Sequence, residues 1–267
     1  MGSIRTEDHL ESFKENESLY FHILNTLDGS YSASTSTTPE MNQESMHSSQ
    51  GAFTETEYIY GEAISFTLNK ISQPTFLNLG LGIGYNELSV FCRMIKESIP
   101  ARAVNIISYE IHPELNKYFV DYLAGRLKHS FLQKAYDNVF SHYLEKYNFS
   151  KDQISSLALE MLDKDRWVLK ENILEDENPP SDISCFLFDA YSKASSAELW
   201  TTDFLNYILK RAADKSVFTT YAATGDLNRA LRANNFWVHA RAGFAFKRQS
   251  TWALKGLDRQ TPSDLLD

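Results

Sequence analysis

Four features of the chain have residue types and spacing suited to chemistry. The first is Gly80-Leu81-Gly82-Ile83-Gly84, directly after a short apolar run. Glycines let a backbone approach a ligand closely and adopt conformations closed to other residues. The G-x-G-x-G spacing, continued by Tyr85 and Asn86, leans towards the amino-acid moiety of S-adenosyl-L-methionine over a dinucleotide pyrophosphate. The second is Glu110, about thirty residues beyond the glycines at the end of another apolar run, where an acid can accept hydrogen bonds from both ribose hydroxyls. A ribose acid serves a nicotinamide cofactor equally well, so this pair leaves the cofactor open. The third is Asn172, whose amide can read an adenine edge or close a turn. The fourth is Asp189 in Phe188-Asp189-Ala190-Tyr191-Ser192. A carboxylate there can orient an amine and accept its proton, and Tyr191 can wall the reacting methyl group.

These residues need a scaffold that brings them to one rim. Apolar runs over 74–79, 104–110, 166–169, 183–189 and 216–221 read as strands, with helical spacing over 86–99, 112–162, 203–213 and 226–234. Strands at 237–239 and 251–254 come next without a helix between them. Alternating strands and helices imply a mainly parallel α/β sheet with an antiparallel edge strand, which binds ligands beyond the carboxyl ends of its strands. That is a Rossmann-like layout over 71–267, and with the G-x-G-x-G loop the expectation is a class I S-adenosyl-L-methionine-dependent methyltransferase. The polar-aromatic stretch around 121–160 exceeds one crossover and is expected as a helical insertion. Residues 1–70 are expected as a separate helical or lid segment: a charged helical lead-in over 1–30, a Ser/Thr-rich loop or lid over 31–50, and a helix over 51–70.

Composition narrows the class. In 267 residues, 43% are hydrophobic and 13% aromatic, enough for a sizeable core. No apolar run reaches the roughly eighteen residues a membrane span needs. The beginning of the chain has no apolar signal core, although Met1-Gly2-Ser3-Ile4-Arg5-Thr6 formally fits an N-myristoylation pattern. Cys92 and Cys185 sit in apolar runs, which suits buried reduced thiols in a cytoplasmic protein. Seven histidines include no H-x-x-H or H-E-x-x-H pair, so no metal is expected, and His47 and His239 read as ordinary polar residues. A net charge of −9 argues mildly against a polyanionic partner. Any such partner would have to dock on the basic stretch carrying Arg229, Arg232, Arg241, Lys247 and Arg248.

Five motifs in order, from about residue 46 to 257, resemble a known family: the bacterial methyltransferases that complete 5-methylaminomethyl-2-thiouridine at the tRNA wobble position. They are the segment from His47-Ser48-Ser49-Gln50-Gly51-Ala52 to Tyr60, the loop Leu79 to Asn86, the run FLFDAYSKASSAELW from Phe186 to Trp200, Tyr221-Ala222-Ala223-Thr224-Gly225, and Ala242-Gly243-Phe244-Ala245-Phe246-Lys247-Arg248. The resemblance implies that Gly80, Gly82 and Glu110 hold the cofactor, that Asp189 stands beside the target amine, and that Lys247 and Arg248 lie on the substrate face. It implies a tRNA aminomethyl-uridine as acceptor and no flavin. The chain departs from the family pattern at Asn78, Asn172, Ala190, Lys193 and Ser196-Ala197, and the last three flank the acceptor. A small-molecule or protein amine is the alternative acceptor. A nicotinamide-dependent oxidoreductase and a catalytically silent binding module are readings from other classes; a cofactor-binding screen separates methyltransferase from oxidoreductase, and Asp189 with the glycine loop argues against the silent module.

Overall fold

The computed structural model describes residues 9–16, 19–36 and 44–259. Its centre is a seven-stranded sheet: β4 (Thr75–Leu79), β5 (Asn105–Tyr109), β6 (Trp167–Lys170), β7 (Ile183–Phe188), β8 (Ala212–Thr220), β9 (Trp237–Ala242) and β10 (Gln249–Lys255), in the order β6-β5-β4-β7-β8-β10-β9. The strands β4 to β8 pair in parallel; β10 runs antiparallel to both β8 and β9. The reversed strand therefore sits one place in from the edge, because the short turn after β9 returns the chain between β9 and β8.

Side chains alternate along these strands and feed two cores. Phe76, Ile106, Cys185, Leu187 and Trp252 pack against α2 (Glu62–Lys70), α3 (Tyr85–Lys96), α4 (Pro113–Leu123), α5 (Ser130–Tyr147) and α6 (Lys151–Asp163). Leu77, Leu79, Phe186, Phe188 and Phe218 face the other way, onto α7 (Thr202–Leu209) and α8 (Gly225–Ala233). Each such side chain contributes about 1.5–3 kcal/mol on burial. Most of the stretch around 121–160 is the α5–α6 pair, turned at Asn148 in the left-handed region and restarted by a Ser150/Gln153 capping box. Cys92 and Cys185 are both buried and free.

The lead-in departs from the sequence expectation. The described residues of 9–36 form no helix but a three-stranded antiparallel sheet, β1 (His9–Asn16), β2 (Leu19–Asn25) and β3 (Tyr31–Ser36), in that order. The charges over 1–30 pointed to a helix, yet the short aromatic and aliphatic run of β2, which buries Leu19 and Phe21 to Leu24, and the Asp28-Gly29 turn signal favour a hairpin. Asp28 accepts from the Ser30 N–H and from the Thr26 hydroxyl, while Gly29 takes φ +80°. The same carboxylate accepts from the Thr54 N–H and hydroxyl, tying the turn to α1 (Ala52–Thr56). Those hydrogen bonds overcome its burial and hold it low, at about 2. Of the Ser/Thr-rich stretch, 31–36 is strand, 44–50 is irregular, and 37–43 lie outside the described residues, as does the 1–6 motif. The helix expected over 203–213 ends at Leu209, and β8 already begins at Ala212.

Candidate active site

The strand order reverses between β4 and β7, and the crevice at such a switch point is where open α/β sheets bind ligands. A cavity of about 740 Å³ opens there, within the size range of cofactor sites. Asp189 leaves β7 beside the glycine loop: its N–H donates to the Leu79 carbonyl (3.1 Å), and a Cβ on Gly80 would lie 2.8 Å from the Asp189 carbonyl oxygen. Gly80 (φ +101°) is therefore required by close approach and by backbone conformation together.

The acid at the end of β5 is built in. Glu110, 6% exposed, accepts from the Gly82 N–H (2.9 Å) and from the His112 N–H (2.9 Å), one on each oxygen. Burial raises its carboxyl above the usual range, against those two hydrogen bonds. Each oxygen keeps a second lone pair for a ligand hydroxyl. Gly80, Gly82 and Asn86 line the cavity with Glu110; Gly84 does not. Gly84 caps α3 in the left-handed region (φ +88°), where a Cβ would meet the Phe119 ring at 2.5 Å. Its lack of a side chain is used in packing against α4, and it lies outside the cavity lining. Asn172 lines the cavity, but its side chain closes a turn, accepting from the Leu174 N–H (3.0 Å) and donating to Glu175 (2.9 Å). Ile111 and Leu174, both exposed large apolar residues in the cavity wall, carry no signal in the sequence that sets them apart.

Asp189 is clamped. The Tyr60 hydroxyl donates to its Oδ1 (2.6 Å) and the Asn86 amide to its Oδ2 (2.9 Å). Burial raises its carboxyl from 3.8 to about 7; Tyr60 opposes this, Glu55 adds to it, and Asn86 and Lys247 oppose it. Beneath it the network runs inward: Asn86 also donates to Asn78, Asn78 to Glu87 (2.5 Å), and Ser108 to the same Glu87 oxygen (2.6 Å). The other side of the cavity is walled by Tyr191, Tyr221, Glu44, Glu55 and Glu198. Glu44 accepts from the Ser192 N–H and the Ser195 hydroxyl, so the segment 44–49 lies across the acceptor loop. His47 lines the cavity with its ring edge-on to Tyr85, and burial holds its imidazole down at about 4.

The two basic residues part company. Lys247 lines the cavity, paired with Glu55 (2.9 Å) over the Tyr221 ring; Arg248 is exposed outside the cavity lining. The basic stretch is not a continuous patch. Arg241 is buried in a pair with Glu62 (2.9 Å), and Arg229 is paired with Asp226 (2.5 Å). Among the described residues no group of three or more His, Cys, Asp or Glu is placed to hold a metal ion, and no helix is long and apolar enough to cross a membrane.

The cavity suits S-adenosyl-L-methionine. Asn86 Oδ1 is buried without a partner and would accept from the ammonium of an amino-acid moiety. Glu110 fits a ribose diol, and Ile111 and Leu174 offer apolar faces to a purine. Comparison with known proteins agrees. Residues 128–256 match a family model described as S-adenosyl-L-methionine-dependent methyltransferase. The chain is 24% identical over 198 residues to the tRNA 5-methylaminomethyl-2-thiouridine biosynthesis bifunctional protein MnmC of Campylobacter hominis, covering 74% of this chain and 28% of that one. It is likewise 24% identical over 210 residues to the MnmC protein of Idiomarina loihiensis, covering 73% of this chain and 32% of that one. The chain thus spans under a third of the length of these curated relatives. Among solved structures, MnmC2 from Aquifex aeolicus superposes with a TM-score of 0.58 at 21% identity, over 91% of this chain and 73% of that one. Spermidine synthase from Thermotoga maritima gives 0.52 at 13% identity, over 94% and 74%, a likeness of fold alone.

Proposed function

We propose, from the premise that this chain is an S-adenosyl-L-methionine-dependent methyltransferase resembling the MnmC methyltransferases, that it methylates an amine held against Asp189, and that this amine is the aminomethyl group of a modified wobble uridine in tRNA. The observation that carries the reading is the Asp189 carboxylate, fixed on both oxygens where the glycine loop meets the acceptor side of the cavity.

The cofactor, when bound, supplies an electrophilic methyl group on a sulfonium. Gly80 and Gly82 would bring backbone against it, Asn86 would accept from its ammonium, and Glu110 would accept from its ribose hydroxyls. Asn172 contributes its turn at the base end, between Ile111 and Leu174. Asp189 accepts a proton from the incoming ammonium, which frees the nitrogen lone pair, and holds that nitrogen on line with the methyl carbon. Tyr191 and Tyr221 form the wall that keeps water from the transfer. Lys247 steadies Glu55 at the acceptor side. Phe246, 87% exposed, stands in the β9–β10 turn, and Arg248 at its base, where a nucleobase can stack and a phosphate can pair.

One observation favours a second acceptor, a small cationic amine. Glu44, Glu55, Glu198 and Asp189 face the acceptor side, against Lys247, which is already paired. Transfer of labelled methyl from the cofactor to unfractionated undermethylated tRNA, run beside a panel of small diamines and polyamines, decides between them. Incorporation into tRNA that maps to the wobble uridine supports the first acceptor. Incorporation into the amines alone replaces it with the second.

A further inference from the structure

We infer that the Tyr60 hydroxyl is the positioning group of this site: it favours the ionised form of the Asp189 carboxylate against burial and holds it turned into the cavity, where it can take a proton from the acceptor. The inference rests on the role proposed for Asp189.

The geometry is specific. Tyr60 lies in a π-helical turn, Glu57–Gly61, between α1 and α2. Such a turn takes one residue more than an α-helical one and rotates the succeeding helical residues by about 100°, and single π turns gather at functional sites. Here every residue of the turn is used. Glu57 meets Arg93 of α3 through both carboxylate oxygens (3.1 and 2.9 Å), and Gly61 leaves room for that guanidinium, since a Cβ would lie 2.5 Å from it. The Ile59 carbonyl accepts from the Thr219 hydroxyl of β8 (2.8 Å), and the Tyr58 carbonyl from buried Arg241 of β9 (2.6 Å). Held at these points, Tyr60 is 2% exposed and delivers its hydroxyl 2.6 Å from Asp189 Oδ1. Water has no access from that side to replace it.

The phenol acts as a donor throughout the working pH range, because burial and the Asp189 charge push its own ionisation far up. The other charged groups around Asp189 are of both signs. Glu55 of α1 and Glu87 of α3 repel its charged form, Lys247 of the β9–β10 turn attracts it, and Asn86 of α3 donates on the other oxygen. The phenols of Tyr191 and Tyr221 stay neutral at these pH values, both pushed up by burial. Removing the Tyr60 donor removes the stronger neutral partner of a dry carboxylate, so the proton should be held more tightly.

The test is a carboxyl ¹³C NMR titration of the full chain, wild type and Tyr60→Phe, with the Asp189 signal assigned by its loss in Asp189→Asn. The phenylalanine keeps the ring in its place. Asp189 is expected to titrate about one to two pH units higher in Tyr60→Phe, the equivalent of one hydrogen bond to a charged group. The acid limb of the rate profile should move by the same amount and the lost rate should return at high pH, with S-adenosylhomocysteine affinity within twofold of wild type. An unmoved Asp189 titration overturns the inference, whatever the rates do. A moved titration with an unmoved rate limb leaves Tyr60 as the holder of the carboxylate but removes Asp189 as the proton acceptor.

Discussion

Replacing Glu87 by glutamine should flatten the pH dependence of stability. Glu87 is 1% exposed beneath the glycine loop. One of its oxygens accepts from Asn78 and Ser108, and the other has no partner. Burial raises its carboxyl from 4.5 to about 7, against those two hydrogen bonds. A folded-state value above the unfolded one means that the native protein keeps a proton the unfolded chain has already lost. The contribution is fully present below about pH 4.5 and is gone above about pH 7. At about 1.4 kcal/mol per pH unit, the complete loss is about 3 kcal/mol, of which about 2–3 falls between pH 5 and 8.5. Asp189, raised from 3.8 to about 7, adds a loss of the same sign in both proteins. Glutamine can keep the accepting oxygen, but it places an amide donor where no acceptor stands, a pH-independent cost of about 1–3 kcal/mol. The variant should therefore be less stable than wild type at pH 5 and level with it, or better, at pH 8.5. Urea unfolding at the two pH values reads the difference. Stability curves that run parallel would refute the reasoning, since they would show that the buried carboxyl titrates as it does in the unfolded chain.

Asp189→Asn should lower the rate of methyl transfer by about 10²–10⁴-fold while S-adenosylhomocysteine still binds, as calorimetry would show. Glu110→Gln turns one acceptor into a donor facing the Gly82 or His112 N–H; affinity for S-adenosylhomocysteine should fall about ten- to a hundredfold, and retained affinity would take Glu110 out of the site. Gly84→Ala puts a Cβ into the Phe119 ring at a left-handed backbone position and should cost about 2–4 kcal/mol in a denaturant titration, with little change in cofactor affinity for the part that remains folded. Phe246→Ala should raise KM for tRNA severalfold and leave transfer to a small amine unchanged, and an equal effect on both would remove the stacking role.

The sequence alone determined the strand–helix alternation, the position of the glycine turn, and the two acids at strand ends. These arise from short-range signals: apolar runs of strand length, glycine spacing and charge at a run's last residue. It also carried the family resemblance, because five motifs in order survive at identities near 24%. What it could not determine were properties of contact. The N-terminal hairpin was missed because charge outweighed the short aromatic and aliphatic run of β2 and the Asp28-Gly29 turn after it. Gly84 and Gly80 are indistinguishable in sequence, yet one faces the Phe119 ring and the other the Asp189 backbone. The basic stretch read as a patch because pairing partners such as Glu55 and Glu62 lie far away in the chain. Tyr60 closes one of the five motifs without a role of its own there, since its partner is 129 residues away and a π turn has no signature that periodicity can reveal. Local propensity settles which elements form, whereas burial, charge pairing and hydrogen-bond partners come from residues remote in sequence, and only the folded chain brings those together.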